Sequence, residues 1–349
     1  MRLNNCVCRM AGLAVILMAV DAVRADDAWS SAPAAAGPVV VRVAAAAGED
    51  PTATGRAAAE SLLKALDGVA PAVVIVSECF EDRDNKQKVL AGIASRLPAG
   101  ILVGAATYGS FTQAGCSDTE SVCLVGIGGA GVSVSAALVE KMGAAKLAYD
   151  QNKDQVEQLL RAAGTRLAGA LRRSQQDRLL ILLADAHSPK NQALVEGVQQ
   201  VVGKPFPIAG GCANKNAGQT FVYFRGQMYE DAAVALMLAG DFRATLSGRQ
   251  AKENDTVIST AREAAAEVRQ KNPGEALAAL AFNCAGRRSK LKKHQDELDA
   301  IQAALGRQLP LFGCYCAGEI GPVDPAERPN DTASGGVGWH VMFALLTRP

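Results

Sequence analysis

Five side chains able to do chemistry stand in three short segments near the end of this 349-residue chain. Cys284 and Arg287 close the apolar run Ala276 to Phe282, Tyr315 and Glu319 sit in the glycine-rich stretch Gly313 to Pro322, and His340 opens the last apolar run. A carboxylate in a loop of glycines either contacts an amine or guanidinium of a ligand or caps backbone N–H groups of its own turn. Arg287 either clamps a ligand carboxylate with its two-pronged guanidinium or pairs with Glu319. Cys284 is either a plain buried thiol or a nucleophile, with His340 and Glu319 as its partners. Thr107 and Asp185 occupy comparable places further up the chain, each just after an apolar run. Tyr315 and Thr107 carry hydroxyls that bind a ligand or satisfy nearby backbone. Of the three histidines, His340 is the first choice for a metal or haem ligand and His187 the second, while His294 lies in a lysine-rich segment. No pair of His and Cys stands at metal-ligand spacing, so no metal is expected.

Those residues need strand ends to hold them. Three passages repeat one plan of strand, helix and strand, with a further strand after it. The first runs from Val73 through a helix at about 85–97 to Gly104, with a third strand at 122–127. The second runs from Leu179 through a helix at about 191–202 to Gly210, followed by a strand at 220–224. The third runs from Ala276 through a helix at about 290–305 to Gly313, closing with a strand at 339–346. Ser77 to Gly104, Asp185 to Gly210 and Cys284 to Gly313 are separations of 27, 25 and 29, the size of a βαβ unit with a parallel pair. The fold class expected is α/β: repeated β-α-β-β units forming pseudo-symmetric mixed sheets flanked by helices. Ligands in such sheets sit beyond the carboxyl ends of the strands, where these polar residues gather. Gly126 to Gly131 satisfies Gly-x-Gly-x-x-Gly, but it follows the third strand of its unit rather than the first, so dinucleotide binding is not expected.

Composition narrows the class. Lys plus Arg number 36 against 35 Asp plus Glu, and only 5% of residues are aromatic, so no nucleic-acid surface is indicated. Arg2 and Arg9 flank the apolar run Met10 to Val20, and Val23-Arg24-Ala25 fits a cleavage site. Residues 1–25 are read as a signal peptide and 26–38 as a disordered Ala/Ser/Pro/Gly linker. The mature chain is expected to be exported, periplasmic or secreted, with no membrane span. Two domains are drawn, 39–235 and 236–349. Of nine cysteines, Cys6 and Cys8 leave with the leader, and the odd remainder implies a free thiol. Cys116 and Cys123 bracket a polar loop and are the pair considered for a disulfide.

Taken together, the segments resemble the FIST domain family. Phe282-Asn283-Cys284-Ala285-Gly286-Arg287 is similar to its Phe-x-Cys-x-Gly-Arg element, and Gly313 to Pro322 to its Gly-x-Tyr-x-x-Gly-Glu-Ile-x-Pro element. Val103 to Gly109 resembles the Val-Gly-x-x-Thr-x-Gly element of the N-terminal half, and Pro207 to Cys212 its Pro-Ile-Gly-Gly element. The chain departs at Ser110, which stands at the first copy's counterpart of the Glu position, and at Val341 and Phe343, which replace polar residues after the histidine. The resemblance implies a non-enzymatic sensory domain that captures a small polar ligand such as an amino acid. Thr107, Asp185, Cys284, Arg287, Tyr315, Glu319 and His340 would line the site, and a separate signalling protein would receive the signal. Haem binding in a gas sensor is the alternative that it implies; a thiol-dependent enzyme using Cys284 is the alternative that the residues themselves allow. Gly-x-Ser-x-Gly, Walker and His-Glu-x-x-His signatures are all missing.

Overall fold

The computed structural model describes residues 28–213, 220–327 and 332–349. The proposed signal peptide lies outside the described residues. Three units follow one another, each with the same order: strand, helix, strand, helix, strand, hairpin, strand. The first has strands Val40–Ala47, Pro71–Cys79, Leu102–Ala106 and Ser121–Gly128 with helices Pro51–Leu66 and Arg83–Ala94. The second has Val132–Val139, Asp177–Ala184, Ile208–Cys212 and Ala233–Gly240 with helices Lys153–Gly169 and Asn191–Val202. The third has Arg243–Gln250, Ala276–Cys284, Leu311–Cys316 and His340–Thr347 with helices Asn254–Lys271 and His294–Leu305. Each unit builds one sheet, and within it only the central βαβ pair is parallel.

The hairpins are exchanged in a ring. Ser110–Thr112 and Gly115–Ser117 of the first unit extend the third unit's sheet; Val222–Phe224 and Gln227–Tyr229 of the second extend the first; Glu319–Gly321 and Gly335–Val337 of the third extend the second. Each sheet's edge is therefore covered by a strand from the next unit, which removes an unpaired ladder. The strand at 222–224, expected to close the second unit, is the exchanged one; its true counterpart is Ala233–Gly240. The domain boundary drawn between 235 and 236 falls inside that strand.

One face of every sheet feeds a single shared core, with Val43, Val73, Ile75 and Val125 from the first, Leu179, Ile181 and Leu236 from the second, and Leu280, Phe282 and Phe312 from the third. The other faces are each closed by a helix pair. Helix Pro51–Leu66 starts at Asp50, whose side chain accepts from the Ala53 N–H at 3.0 Å, with Pro51 in the first turn where no amide is needed. Gly55 and Gly92 let the first helix pair cross closely: a Cβ on either would meet partner backbone oxygen at 2.3 or 2.2 Å. The linker expectation fails in part, because Ala28–Ser30 pairs antiparallel with Ser135 to Ala137 and half-buries Trp29. Its backbone finds a free sheet edge, which composition alone does not show.

The three glycines that marked the repeat are structurally equivalent. Gly104, Gly210 and Gly313 lie opposite Val76, Leu182 and Ala281 in the parallel ladders, and opposite Tyr223, Ile320 and Phe111 of the exchanged hairpins. A Cβ on Gly313 would stand 2.2 Å from the Phe111 ring. Gly313→Ala should therefore cost about 1–3 kcal/mol by overpacking, read as a lower denaturant midpoint. Truncating Phe111 in the same chain should recover part of the loss, and equal loss in both variants would refute the steric cause.

Candidate functional site

The register defines two sets of equivalent positions, which include three of the residues singled out from the sequence, Asp185, Cys284 and Glu319. Counting three residues on from the glycine partners, Cys79 and Cys284 end the central strands of the first and third units, and Asp185 directly follows that of the second. One residue before the hairpin partners come Ser110, Val222 and Glu319. The family Glu is thus matched by a serine in the first unit and a valine in the second, so only the third unit's hairpin carries an acid here.

Glu319 is wholly buried where the hairpin crosses from the third sheet to the second. Its Oε2 accepts from the His340 N–H at 3.0 Å, and its backbone carbonyl accepts from Asn191 Nδ2 at 3.1 Å. Oε1 has no hydrogen-bond partner of regular geometry. The Cys284 thiol lies against the carboxyl, near enough to favour its ionised form. Burial dominates and pushes Glu319 up to about 8, against the His340 amide, the thiol and the charge of Arg287, which pull it down. Cys284 is pushed up to about 12, first by burial and then by the Glu319 charge, although the backbone amides of Arg287, Trp339 and Gly286 favour its thiolate. A buried carboxyl with no counter-charge in contact protonates instead of paying the desolvation cost. At neutral pH both groups are therefore neutral.

His340 does not complete a triad. Its Nδ1 lies 2.8 Å from the Gly338 carbonyl, which can only accept, so Nδ1 carries the proton. Nε2 then accepts from the Asp324 N–H at 3.3 Å. Burial holds its pKa below 6.5. With both nitrogens committed, the ring neither deprotonates Cys284 nor offers a lone pair to haem iron. His294 pairs with Asp118 at 3.2 Å, and His187 stands in the turn before helix Asn191–Val202. Among the described residues no group of three His, Cys, Asp or Glu is arranged to hold a metal ion.

Arg287 and Tyr315 face the other way. The expected Arg287–Glu319 pair is not formed: Arg287 binds Glu297 at 3.0 Å, the Asn283 side chain at 3.0 Å and the Val257 carbonyl at 2.8 Å. Tyr315 donates to the same Glu297 at 3.2 Å, and Asn283 donates to it at 2.9 Å. The reason is pleat: Tyr315 alternates with Cys314 and Cys316, so it points to the helix face where Glu297 waits. Glu297 was not singled out from the sequence, since an acid in a polar helix start looks solvated. The helix itself begins at His294 rather than 290, after a separate turn at Ala285–Arg288.

Asp185 is also occupied: Oδ1 accepts from the Thr220 hydroxyl at 2.5 Å and Oδ2 from the Asp231 N–H at 2.8 Å. Thr107 shares a hydrogen bond with Ser77 at 2.8 Å and its amide donates to the Glu78 carbonyl. Cys116 and Cys123 are not bonded, and all seven described cysteines are free of disulfides. They lie on different sheets, because the hairpin carrying Cys116 leaves for the third. What remains with unused bonding capacity is Glu319 beside Cys284.

The FIST N domain matches residues 72–251, more than half of the chain, and the FIST C domain matches 222–322. The chain belongs to the FIST family. No curated protein matches it. Among solved structures, a cyanuric acid hydrolase described as an innovation by structural concatenation aligns at 9% identity and a TM-score of 0.44, covering 89% of this chain and 100% of that one. The cyanuric acid hydrolase of A. caulinodans gives 9%, 0.42, and the same coverages. PurLQS from Thermotoga maritima gives 8% and 0.30, over 90% of this chain and 73% of that one. Two of these neighbours are hydrolases, so the expectation of a FIST chain without enzymatic activity does not stand. At such identities and TM-scores the likeness assigns no reaction to this chain either. Among the described residues no helix is long and apolar enough to cross a membrane.

Proposed function

We propose that this FIST chain is an exported sensory protein that binds a small polar ligand, an amino acid being the simplest example, at the strand ends around Glu319 and Cys284. The observation that carries it is Glu319 Oε1, fully buried and without a regular hydrogen-bond partner. Leaving a buried polar atom unmade costs about 1–3 kcal/mol, and a ligand atom that supplies the bond recovers it. Glu319 lies on a hairpin shared between two sheets, so a ligand held there favours one setting of the third unit against the second. A separate signalling protein would recognise that setting. Export rests on residues 1–25 alone.

A thermal-shift screen of amino acids, amides and small carboxylates on the purified chain, with an absorbance spectrum of the same sample, tests this. At least one compound should raise the melting temperature by several degrees, as mass action requires at high occupancy, and Glu319→Leu should abolish the shift. A panel without any shift refutes the sensory assignment.

A further inference from the structure

Cys284 and Glu319 come from different elements, strand Ala276–Cys284 and the exchanged hairpin, and the Cys284 side chain hydrogen-bonds to the Glu319 carboxyl. Cys284 is the residue of the pair with a slight opening to solvent, 7% against 0% for Glu319. Arg287, Tyr315 and Asp185 are held by their own partners, and His340 by Gly338 and Asp324. A thiol next to an unpartnered carboxyl oxygen has the parts of a nucleophile and its base.

We propose that Cys284 captures a small aldehyde reversibly, with Glu319 Oε1 taking the thiol proton and returning it to the carbonyl oxygen. The proposal rests on the small-ligand reading and names the ligand's class. In the forward step the Cys284 S–H bond breaks and its proton passes to the Glu319 carboxylate. A bond forms from Sγ to the carbonyl carbon as the C=O π bond breaks. The electron pair moves to the carbonyl oxygen, which then takes the proton from Oε1. The product is a neutral hemithioacetal; no leaving group, oxidant or reductant is involved, and the reverse step restores the aldehyde. An aldehyde suits the place because its acceptor oxygen needs the donor that neutral Glu319 supplies.

Groups around the carboxyl set its titration. Burial raises its pKa, and the His340 amide, Cys284 and Arg287 from the turn after the strand lower it, while the thiols of Cys212 and Cys316 on the two neighbouring strands are raised in part by its charge. Loss of the proton at about 8 turns Glu319 into a base, so nucleophilic reactivity should rise through that pH and then level.

Iodoacetamide is the irreversible probe and acetaldehyde the reversible one, with labelling at each cysteine read by peptide mass spectrometry between pH 6 and 10. In the wild-type chain, Cys284 labelling should rise to a plateau above about 8, and acetaldehyde should slow it in a way that dilution reverses. Glu319→Gln should cut the rate at pH 8.5 by about a hundredfold, the low end of a lost general base. Faster labelling in Glu319→Gln overturns the proposal, because the carboxylate then only repels the thiolate. A wild-type rate that climbs without a step toward about 12 also overturns it, and needs no variant to fold. Absence of acetaldehyde protection refutes the aldehyde assignment. An amino-acid melting shift with unreactive Cys284 would leave the sensory reading intact and refute this one.

Discussion

Lys86→Met should destabilise the protein by about 3–5 kcal/mol, the usual cost of breaking a buried ion pair from one side. Lys86 and Glu78 are both fully buried, with Nζ to Oε1 at 3.1 Å. The ammonium also donates to the Phe80 carbonyl, and Glu78 Oε2 accepts from the Phe80 N–H at 2.8 Å. The Tyr223 hydroxyl, carried in by the second unit's hairpin, donates to Glu78 Oε1. This one carboxylate therefore ties strand Pro71–Cys79, helix Arg83–Ala94 and the exchanged strand Val222–Phe224 together. Methionine replaces the lysine stem at similar volume and removes the ammonium, leaving the Glu78 carboxyl buried without its counter-charge and the Phe80 carbonyl without that donor. The double variant Lys86→Met/Glu78→Leu removes both charges and should lie much closer to the wild type than Lys86→Met alone, since apolar replacements of whole buried pairs are often neutral. Urea unfolding of the four chains gives the coupling directly. A double variant that loses the sum of the two single losses would show that the pair is not acting as one unit.

That network is also where the sequence was least readable. The strand–helix–strand spacing and the three glycines were legible because they come from backbone geometry, and Gly104, Gly210 and Gly313 do occupy one register position. Helix 191–202 was legible to the residue. The opening strand and helix of each unit were not: Val40–Ala47 ends in four alanines and helix Pro51–Leu66 is alanine-rich too, so propensity hardly separates them. Exchange of the hairpins left no local trace, since Val222–Phe224 looks the same whichever sheet it joins. Lys86 and Glu297 sit in charged helix starts, Asp-Arg-Asp-Asn-Lys and His-Gln-Asp-Glu-Leu, where charge normally means solvent. Lys86 is buried against Glu78, which Tyr223 holds from far away in sequence, and Glu297 is buried against Tyr315. At the site, Cys284 and Glu319 were both named from motif positions. The sequence also allows them as partners in a thiol triad, but which sheet the last hairpin joins, on which the contact depends, was not legible. The Arg287–Glu319 pairing failed for a simpler reason: Arg287 leaves the strand in the turn Ala285–Arg288 and is taken up by Glu297, Asn283 and Val257 on the helix side.

The wild type should lose stability between about pH 5 and pH 8, and Glu319→Gln should not lose it to the same extent. The Glu319 carboxyl titrates at about 8 in the folded chain against an ordinary 4.5. Between those values the unfolded chain has released this proton while the folded chain keeps it. Folding then binds a proton, so stability falls as pH rises, by about 1.4 kcal/mol per unit for one group. The stabilisation is complete below the ordinary value and is lost as pH climbs through the folded one, with no further change above it. Integrated over the window this is on the order of 4 kcal/mol, large beside a typical net stability of about 5–15 kcal/mol. His340 acts in the opposite sense, because its lowered pKa costs stability as pH falls through its ordinary value of 6.5. Glu267 and Asp324, both lowered, do the same at more acid pH. Glutamine keeps the oxygen that accepts from the His340 amide and cannot ionise. Subtracting its pH profile from that of the wild type therefore isolates Glu319 from these other groups. Urea midpoints measured at half-unit steps from pH 5 to 9 should show wild type and variant converging in acid and separating toward pH 8. Parallel profiles would mean that the carboxyl ionises in the folded chain as it does in water, and the site would then hold a fixed negative charge rather than a proton.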